Sequence, residues 1–205
     1  MLWPNWTGKA VAIVASGPSV DRKAVAALEG RLTVLAIKHN HELAPFAQVI
    51  YGCDYPWWAM VRGLPAFPGL KLSYDPRDLA AVGVHKIEIE KQTDRLLFDK
   101  TGTVGSGGNS GFQALNLALQ FGARRVALIG FDCQIRSGVH WYGRNSGVGM
   151  NNPSETNFPR WIRSFKTAAG QAKEMGVDVV NTSPISDVKG FERATLAATL
   201  ERWGV

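Results

Sequence analysis

The sequence is poor in cysteine, in long apolar runs and in blocks of one charge. Its 205 residues include two cysteines, Cys53 and Cys133, which we expect to be reduced thiols near strand ends and not a disulfide or a metal pair. No window approaches the run of about 18 apolar residues that a membrane span needs. The first residues, MLWPNWTGKAVAIVASG, show no basic region before an apolar segment and no clear cleavage site, so we expect a cytoplasmic protein.

Positive charge is scattered along the chain. There are 23 Lys and Arg against 17 Asp and Glu, a formal net charge of +6. Only the pair Arg124-Arg125 and the loose set Arg160, Arg163 and Lys166 lie close together in the sequence. A basic surface favours anionic partners such as nucleotides, acidic glycans or nucleic acid. A plain solvated surface explains the same distribution at least as well as a nucleic-acid groove.

Short apolar strands alternate with helical segments. The clearest strands are KAVAIVA, RLTVLAI, AQVIYGCD, ARRVALIGFD and VDVVNTSP, and LKLSYD and HKIEIE are shorter ones. Helices are predicted over residues 21–30, from Ser110 to Gly122, from Trp161 to Gly176, and over 187–203. Continuous apolar strands between helices predict a doubly wound, Rossmann-like, mostly parallel α/β sheet with helices on both faces. The length fits one domain over residues 1–205.

Polar residues follow the predicted strands. The clusters lie at residues 16–19, at 38–40, at Asp54, at Asp132 and at 181–184. Ligands of doubly wound sheets bind beyond the carboxyl ends of the strands, so this edge is the predicted site. Asp54 and Asp132 could each bind a ribose hydroxyl, a metal or a histidine, or cap a turn. No tight ligand spacing surrounds them, so we expect no metal cofactor.

A glycine-rich stretch precedes one predicted helix. Residues 102–111, GTVGSGGNSG, contain five glycines, but no Gly-Lys-Ser/Thr follows and the spacing is not that of a dinucleotide fingerprint. The stretch delivers Asn109, Ser110 and Gly111 to a helix N-terminus, where backbone N–H groups and the helix dipole suit an anion. A simple N-cap with close helix–sheet packing at Gly111 explains the pattern equally well.

Residues 134–158 form a long polar loop, and loops of this length in compact domains are usually functional or disordered. The loop carries His140, Trp141, Tyr142 and Arg144. His140 offers a base near neutral pH, while Tyr142 and Arg144 can stabilise a leaving phosphate. Trp141 can stack on a base or a sugar. The alternative is a loop that folds over its own aromatic residues.

Together these segments resemble a known family. VAIVASGPSV, Asn40, Asp54, NSGFQALNLALQFGARRVALIGFD and VVNTSP are similar to bacterial sialyltransferases of the CstII type, and to relatives of unknown function around the motility-associated glycosyltransferases. An archaeal hydroxymethylpterin pyrophosphokinase shares the same domain. The His-Trp-aromatic-Gly element resembles a shorter form from bacteriophages. The similarity runs from about residue 9 to about residue 185.

The resemblance implies a role for each matching position. Gly17, Pro18 and Ser19 would hold the nucleotide phosphates, with Ser16 in place of the family's asparagine. Asn40 would match the asparagine after the second strand, and Ser110 and Gly111 the nucleotide-side helix start. Asn181 and Ser183 would grip the base and ribose. The family's catalytic His and Tyr follow an inserted lid that has no counterpart near residue 160, so His140 and Tyr142 would act from a different loop.

The expected function is that of a nucleotide-sugar-dependent glycosyltransferase that requires no cofactor. The nucleotide-sugar would be a substrate, and the acceptor a glycan, a protein or a modified DNA base. One alternative is diphosphoryl transfer from ATP, which would need Mg²⁺ on Asp54 and Asp132. Another is a nucleotide-binding module without turnover. The sequence leaves a homo-oligomer open.

Overall fold

The computed structural model describes residues 3–205. Its ten strands are, in chain order, β1 (Ala10–Val14), β2 (Thr33–Ile37), β3 (Val49–Tyr51), β4 (Leu70–Ser73), β5 (Val84–Lys86), β6 (Glu88–Glu90), β7 (Thr103–Gly105), β8 (Arg125–Ile129), β9 (Asp178–Asn181) and β10 (Glu192–Arg193). The helices are α1 (Arg22–Ala26), α2 (Tyr55–Met60), α3 (Ser110–Gln120), α4 (Phe158–Glu174) and α5 (Leu196–Trp203), with 3-10 turns at Lys38–Glu42 and Arg77–Val82.

Eight strands form one parallel sheet in the order β10-β9-β8-β1-β2-β3-β4-β5, and β6 pairs with β7 in a small second sheet. The chain runs outward from β1 to β5 and then returns to place β8 on the other side of β1. The strand order therefore reverses between β1 and β8. Such a switch point leaves a crevice beyond the carboxyl ends of the two strands, and this is the predicted Rossmann-like α/β fold.

Both faces of the sheet are buried, as the continuous apolar strands predict. Val11 and Ile13 of β1 pack in a core that includes residues of α3 and α4. Ala12 and Val14, which point to the opposite face, pack in a second core with residues of α1 and α5. Successive side chains of a strand point to opposite faces of the sheet. A central strand that is covered on both faces therefore needs apolar residues at every position. The prediction of helices on both faces is confirmed.

Two local predictions need correction. HKIEIE is not one strand, since β5 belongs to the main sheet while β6 pairs with β7, and β7 itself lies inside the glycine-rich stretch. The last helix begins at Leu196 instead of residue 187, because the Thr195 side chain caps it and β10 pairs with β9 before it. Arg193 stabilises that earlier segment by donating to the carbonyls of Ser183, Pro184 and Ser186.

No helix within residues 3–205 combines the length and the apolar character that crossing a membrane requires.

Candidate functional site

A cleft of about 670 Å³ lies at the carboxyl ends of the strands, within the range of roughly 300–1,000 Å³ that is usual for small-molecule sites. Its walls are the turns after β1 and β8, the start of α3, and part of the 134–158 loop. The structure brings ten of the predicted site residues to it, namely Ser16, Gly17, Pro18, Asp54, Asn109, Ser110, Gly111, Asp132, His140 and Tyr142.

The turns after β1 and β8 lock together at the floor of the cleft. Gly17 donates its N–H to the Gly130 carbonyl at 2.9 Å. A Cβ at position 17 would lie 2.5 Å from the Gly130 oxygen and 2.6 Å from the Asp132 carboxyl carbon. Only glycine fits there. The Asp132 carboxylate is buried and accepts hydrogen bonds from the Ser19 N–H, at 2.8 Å, and from the Ser19 hydroxyl. Asp132 and Ser19 therefore hold the turn.

Burial decides the titration of Asp132. Removal from water raises the pKa of its carboxyl, and the two hydrogen bonds from Ser19 oppose that rise.

The thiols of Cys53 and Cys133 also line the cleft, and burial raises the pKa of Cys53 to about 11 and that of Cys133 to about 12. Both cysteines are free, as predicted. Because the thiolate is the reactive form, neither cysteine is prepared to act as a nucleophile.

The start of α3 presents open hydrogen-bond donors. Asn109 is extended and its side-chain oxygen accepts the Phe112 N–H at 2.9 Å. A Cβ at Gly111 would lie 2.9 Å from the Phe131 ring, so the close packing expected at this glycine is present. Within residues 3–205, the N–H groups of Ser110 and Gly111 have no acceptor. The cap and the potential anion site coexist.

One residue of the long loop is pinned to the β1 turn. Trp141 donates its backbone N–H to the Ser16 carbonyl at 3.0 Å and its indole N–H to the Asn40 side-chain oxygen at 2.8 Å. The Asn40 amide in turn donates to the Ser16 hydroxyl at 2.9 Å. The Arg22 guanidinium lies 4.6 Å from the centre of the Trp141 ring. Asn40 is thus fully buried and engaged. It supports the site without lining it.

His140 has a defined tautomer. Its Nδ1 lies 3.2 Å from the Gly143 carbonyl oxygen, which can only accept, so Nδ1 carries the proton and Nε2 keeps its lone pair. Burial lowers the pKa of His140 to about 4, and the hydrogen bond to Gly143 opposes this. Electrostatic interactions with Lys38, His39 and Arg144 lower the pKa of His140 further. The imidazole is therefore neutral at pH 7.

Tyr142 stacks on His140. The two ring centres are 4.8 Å apart with planes at 12°, and the His39 ring contacts Tyr142 at 4.5 Å. Burial raises the pKa of Tyr142 to about 12, so the phenol stays protonated, and it donates to the Asn145 side-chain oxygen at 3.1 Å. At this wall of the cleft the neutral imidazole offers an acceptor, Nε2, while the single proton of the phenol is engaged with Asn145.

The structure does not bring five other predicted residues to the cleft wall. Ser19 and Asn40 serve as supports, as described, and Arg144 is exposed and outside the lining. Asn181 is the last residue of β9, two strands away from β1, and is buried. Its side-chain oxygen accepts the Ser183 N–H at 3.1 Å, and its amide donates to Ser186 at 2.8 Å.

Ser183 is also buried, and its hydroxyl oxygen accepts the Phe131 N–H at 2.8 Å. The same Phe131 belongs to the turn after β8, so this bond braces the floor of the cleft from below. The structure therefore does not bring Asn181 and Ser183 to the cleft where the nucleotide is predicted to bind. The side chains of both residues form hydrogen bonds within the fold.

The two carboxylates considered for Mg²⁺ already have partners. Asp54 is exposed and forms an ion pair with Lys38, whose φ of +51° is unusual for a residue other than glycine. Asp132 is held by Ser19. Over the described part of the chain, no three His, Cys, Asp or Glu side chains come together as a set able to hold a metal ion.

Several lining residues had no part in the predicted site. Lys38 belongs to a polar cluster and Gln134 opens the long loop, so strand-end polarity was a usable signal for both. Arg160 and Trp161 line the cleft from the first turn of α4. Both contact the glycine-rich stretch: Trp161 lies 3.1 Å from a Cβ at Gly108, and the Arg160 guanidinium donates to the Ser106 hydroxyl at 3.2 Å.

Comparison of the chain with protein-family models, with curated proteins and with solved structures finds no match. The resemblance to the sialyltransferase group therefore remains a prediction from sequence motifs. Function has to be argued from the geometry of the cleft.

Proposed function

We propose that this protein is a nucleotide-sugar-dependent glycosyltransferase that binds the nucleotide of its donor in the switch-point cleft. The observation that carries the proposal is that the β1 turn, the open N-terminus of α3 and a neutral histidine with a free Nε2 line one cleft. The first two are suited to a phosphate. The third is suited to removing a proton from an acceptor hydroxyl.

The donor phosphates would lie against the N–H groups of Ser110 and Gly111, near Lys38. These donors stay fixed while charge builds on the departing phosphate, so the stabilisation needs no rearrangement during the reaction. The carboxylates of Asp54 and Asp132 are occupied by Lys38 and Ser19. This arrangement supports transfer without a metal ion.

His140 would act as the general base. Its Nε2 takes the proton of the acceptor hydroxyl, the acceptor oxygen bonds to the anomeric carbon of the sugar, and the bond from that carbon to the phosphate oxygen breaks. The nucleotide leaves with the bonding electron pair. The bound phosphates also raise the low pKa of His140, because a nearby negative charge favours the imidazolium. Tyr142 stays protonated and donates its one proton to Asn145, and its ring, stacked on His140, would hold the imidazole in place.

Charge supports an anionic acceptor, such as an acidic glycan, a protein or a modified DNA base. The chain is positive overall, and Lys91, which lines the cleft, pairs with no carboxylate in residues 3–205. Its ammonium lies 5.0 Å from the centre of the Tyr74 ring. The free thiols support a cytoplasmic location.

The test compares the wild-type protein with His140→Ala. Nucleotide release from CMP, UDP, GDP and dTDP sugars is measured with a hydroxyl acceptor panel, and nucleotide binding is measured by calorimetry. We expect turnover to fall by roughly 10²–10⁴-fold, the usual contribution of a general base, while nucleotide affinity remains. His85→Ala, on exposed β5, is the matched control and should leave both unchanged.

Three results would contradict the proposal. Full turnover in His140→Ala would remove its catalytic role. Activity or binding with ATP and Mg²⁺ alone would favour diphosphoryl transfer. Nucleotide binding without turnover in the wild type would favour a binding module.

A further inference from the structure

We infer that Gln134 is a phosphate-binding residue, whose side-chain amide donates to a phosphate oxygen of the nucleotide. This inference rests on the proposed function for the identity of the ligand. Gln134 follows Cys133, which has a φ of +49°, a backbone conformation that is strained for any residue with a side chain. The strained residue lies directly between buried Asp132 and Gln134, at the end of the turn after β8.

The amide of Gln134 is buried and has a fixed orientation. The residue is 4% exposed, and its Oε1 accepts the Ser137 N–H at 3.3 Å. A flipped amide would set its NH₂ group against that N–H, so the assigned orientation is the one that fits. Nε2 is then left with no hydrogen-bond partner within residues 3–205.

Other well-buried amides of this protein are satisfied. Gln113 donates to the Ser106 carbonyl, and Asn116 donates to the Leu97 carbonyl. A buried donor without an acceptor destabilises a fold, and native structures contain few of them. The exception at Gln134 therefore calls for an acceptor that the protein does not itself supply.

Gln134 lines the same cleft as Ser110 and Gly111, whose N–H groups are also without acceptors in the described chain. Residues with unpaired donors on two elements, the β8 turn and the start of α3, thus line one cleft. A phosphate matches them because its oxygens only accept and can receive several bonds at once. A cation does not match, because these donors would repel it.

The second orphaned donor in the described chain does not compete for this role. Trp57 Nε1 is also buried and unpaired, but Trp57 does not line the cleft. It packs with Trp58 and Ile50 in an apolar cluster, so no ligand in the cleft reaches it.

The test uses Gln134→Met, which removes the donor at similar length. CMP, UDP, GDP and ADP are each titrated against their nucleosides, and inorganic pyrophosphate is titrated separately. We expect nucleotide and pyrophosphate affinity to fall roughly 10- to 100-fold, the usual range for a lost hydrogen bond to a charged group. Nucleoside affinity should not change. The Tm without ligand should stay close to that of the wild type, because removal of the unsatisfied donor offsets the loss of the bond from the Ser137 N–H.

The control is Gln120→Met. Gln120 lies outside the cleft and its amide is fully paired, accepting from Gly102 and donating to Leu97 and Thr103. Its replacement should lower the Tm and leave nucleotide affinity intact. A structural Gln134 would behave in the same way as Gln120.

Gln134→Met that binds nucleotides as tightly as the wild type overturns the inference and leaves the glycosyltransferase proposal standing. If Gln134→Met binds phosphate more weakly and the wild type transfers no sugar, the inference stands and the glycosyltransferase proposal fails. A wild type that binds no nucleotide and no pyrophosphate overturns both.

Discussion

Two polar clusters lie at strand ends of the same sheet, and in the sequence they look alike. One is the switch-point cluster, formed by Ser16, Gly17, Ser110, Gly111 and Gln134. The other, which we name the β9 brace, is formed by Asn181, Ser183 and Ser186. In the brace the side-chain amide and hydroxyl groups bond to other groups of the fold. In the switch-point cluster the N–H groups of Ser110, Gly111 and the Gln134 side chain have no acceptor in residues 3–205.

Polarity at a strand end therefore does not by itself indicate a binding site. What separates the two clusters is whether their hydrogen bonds are already made. A satisfied cluster contributes to stability, while an unsatisfied one reduces stability and gains a partner when a ligand binds. Mutations should follow this division, with affinity effects at one cluster and stability effects at the other.

The largest effect is expected for Gly17→Ala. The new Cβ would overlap the Gly130 oxygen and the Asp132 carboxylate, so the free energy of unfolding should fall by about 1–3 kcal/mol, and nucleotide binding should be lost as the turn shifts. Urea denaturation and calorimetry measure the two effects. Gly170→Ala is the control, because Gly170 lies within α4 with no atom within 4 Å of an added Cβ, and it should stabilise the helix slightly. Wild-type stability and binding in Gly17→Ala would contradict the locked turn.

Asn181→Ala should affect stability alone. It removes the bonds to Ser183 and Ser186 inside the β9 brace, and the orphaned groups should cost about 1–3 kcal/mol of unfolding free energy. Nucleotide affinity, measured at a temperature where the variant is folded, should match the wild type. A variant of normal stability that loses nucleotide affinity would restore Asn181 as a ligand, as the family resemblance implies.

Trp141→Phe tests the comparison further, because it weakens the attachment of the 134–158 loop and leaves the residues of the β1 turn unchanged. The indole bond to Asn40 is lost, which costs roughly 1 kcal/mol, while an aromatic ring remains beside Arg22. We expect kcat to fall more than nucleotide affinity, because His140 and Tyr142 are positioned by this anchor. Steady-state kinetics and hydrogen exchange over residues 134–158 measure the effect. An unchanged kcat would show that the anchor does not position the base.

The smallest effect is on the pH dependence of stability. The pKa of His140 is lowered from 6.5 to about 4 in the fold, so between these values the unfolded chain binds the proton and the folded chain does not. Stability should therefore fall as the pH drops from about 6.5 to about 4, and this part of the slope should vanish in His140→Gln. Tm measured at pH 7 and pH 5 for both proteins provides the test. Equal slopes in the two proteins would show that His140 is not held neutral by burial.

The fold could be predicted because the central parallel strands, buried on both faces, are continuous apolar runs. The turns after β1 and β8 could be placed because they follow those runs directly. β6, β7 and β10 could not be assigned correctly, since strands of two or three residues carry no periodicity, and β7 lies among glycines. The start of α5 depends on the cap at Thr195 and on pairing of β10 with a distant strand.

The candidate site was predictable only in outline. Its place at the strand ends follows from topology, and His140 and Tyr142 stand out because their loop is long and polar. The sequence could not show that Gln134 has an unpaired donor while the Asn181 amide is paired, because this difference depends on which acceptors lie nearby in three dimensions. No local sequence pattern shows that the Asn181 amide donates to Ser186 while the Gln134 Nε2 has no acceptor in residues 3–205.

The most direct measurement is the thermal shift of the wild type with CMP, UDP, GDP, dTDP, ADP and their sugar conjugates, with and without Mg²⁺. A ligand at about 100 times its Kd adds roughly 2.7 kcal/mol to the folded state, which is a readable shift. A nucleotide should stabilise the protein without Mg²⁺ and should stabilise Gln134→Met much less at the same concentration. No shift with any nucleotide, or a shift only with ADP in the presence of Mg²⁺, would contradict a metal-free phosphate site at the switch point.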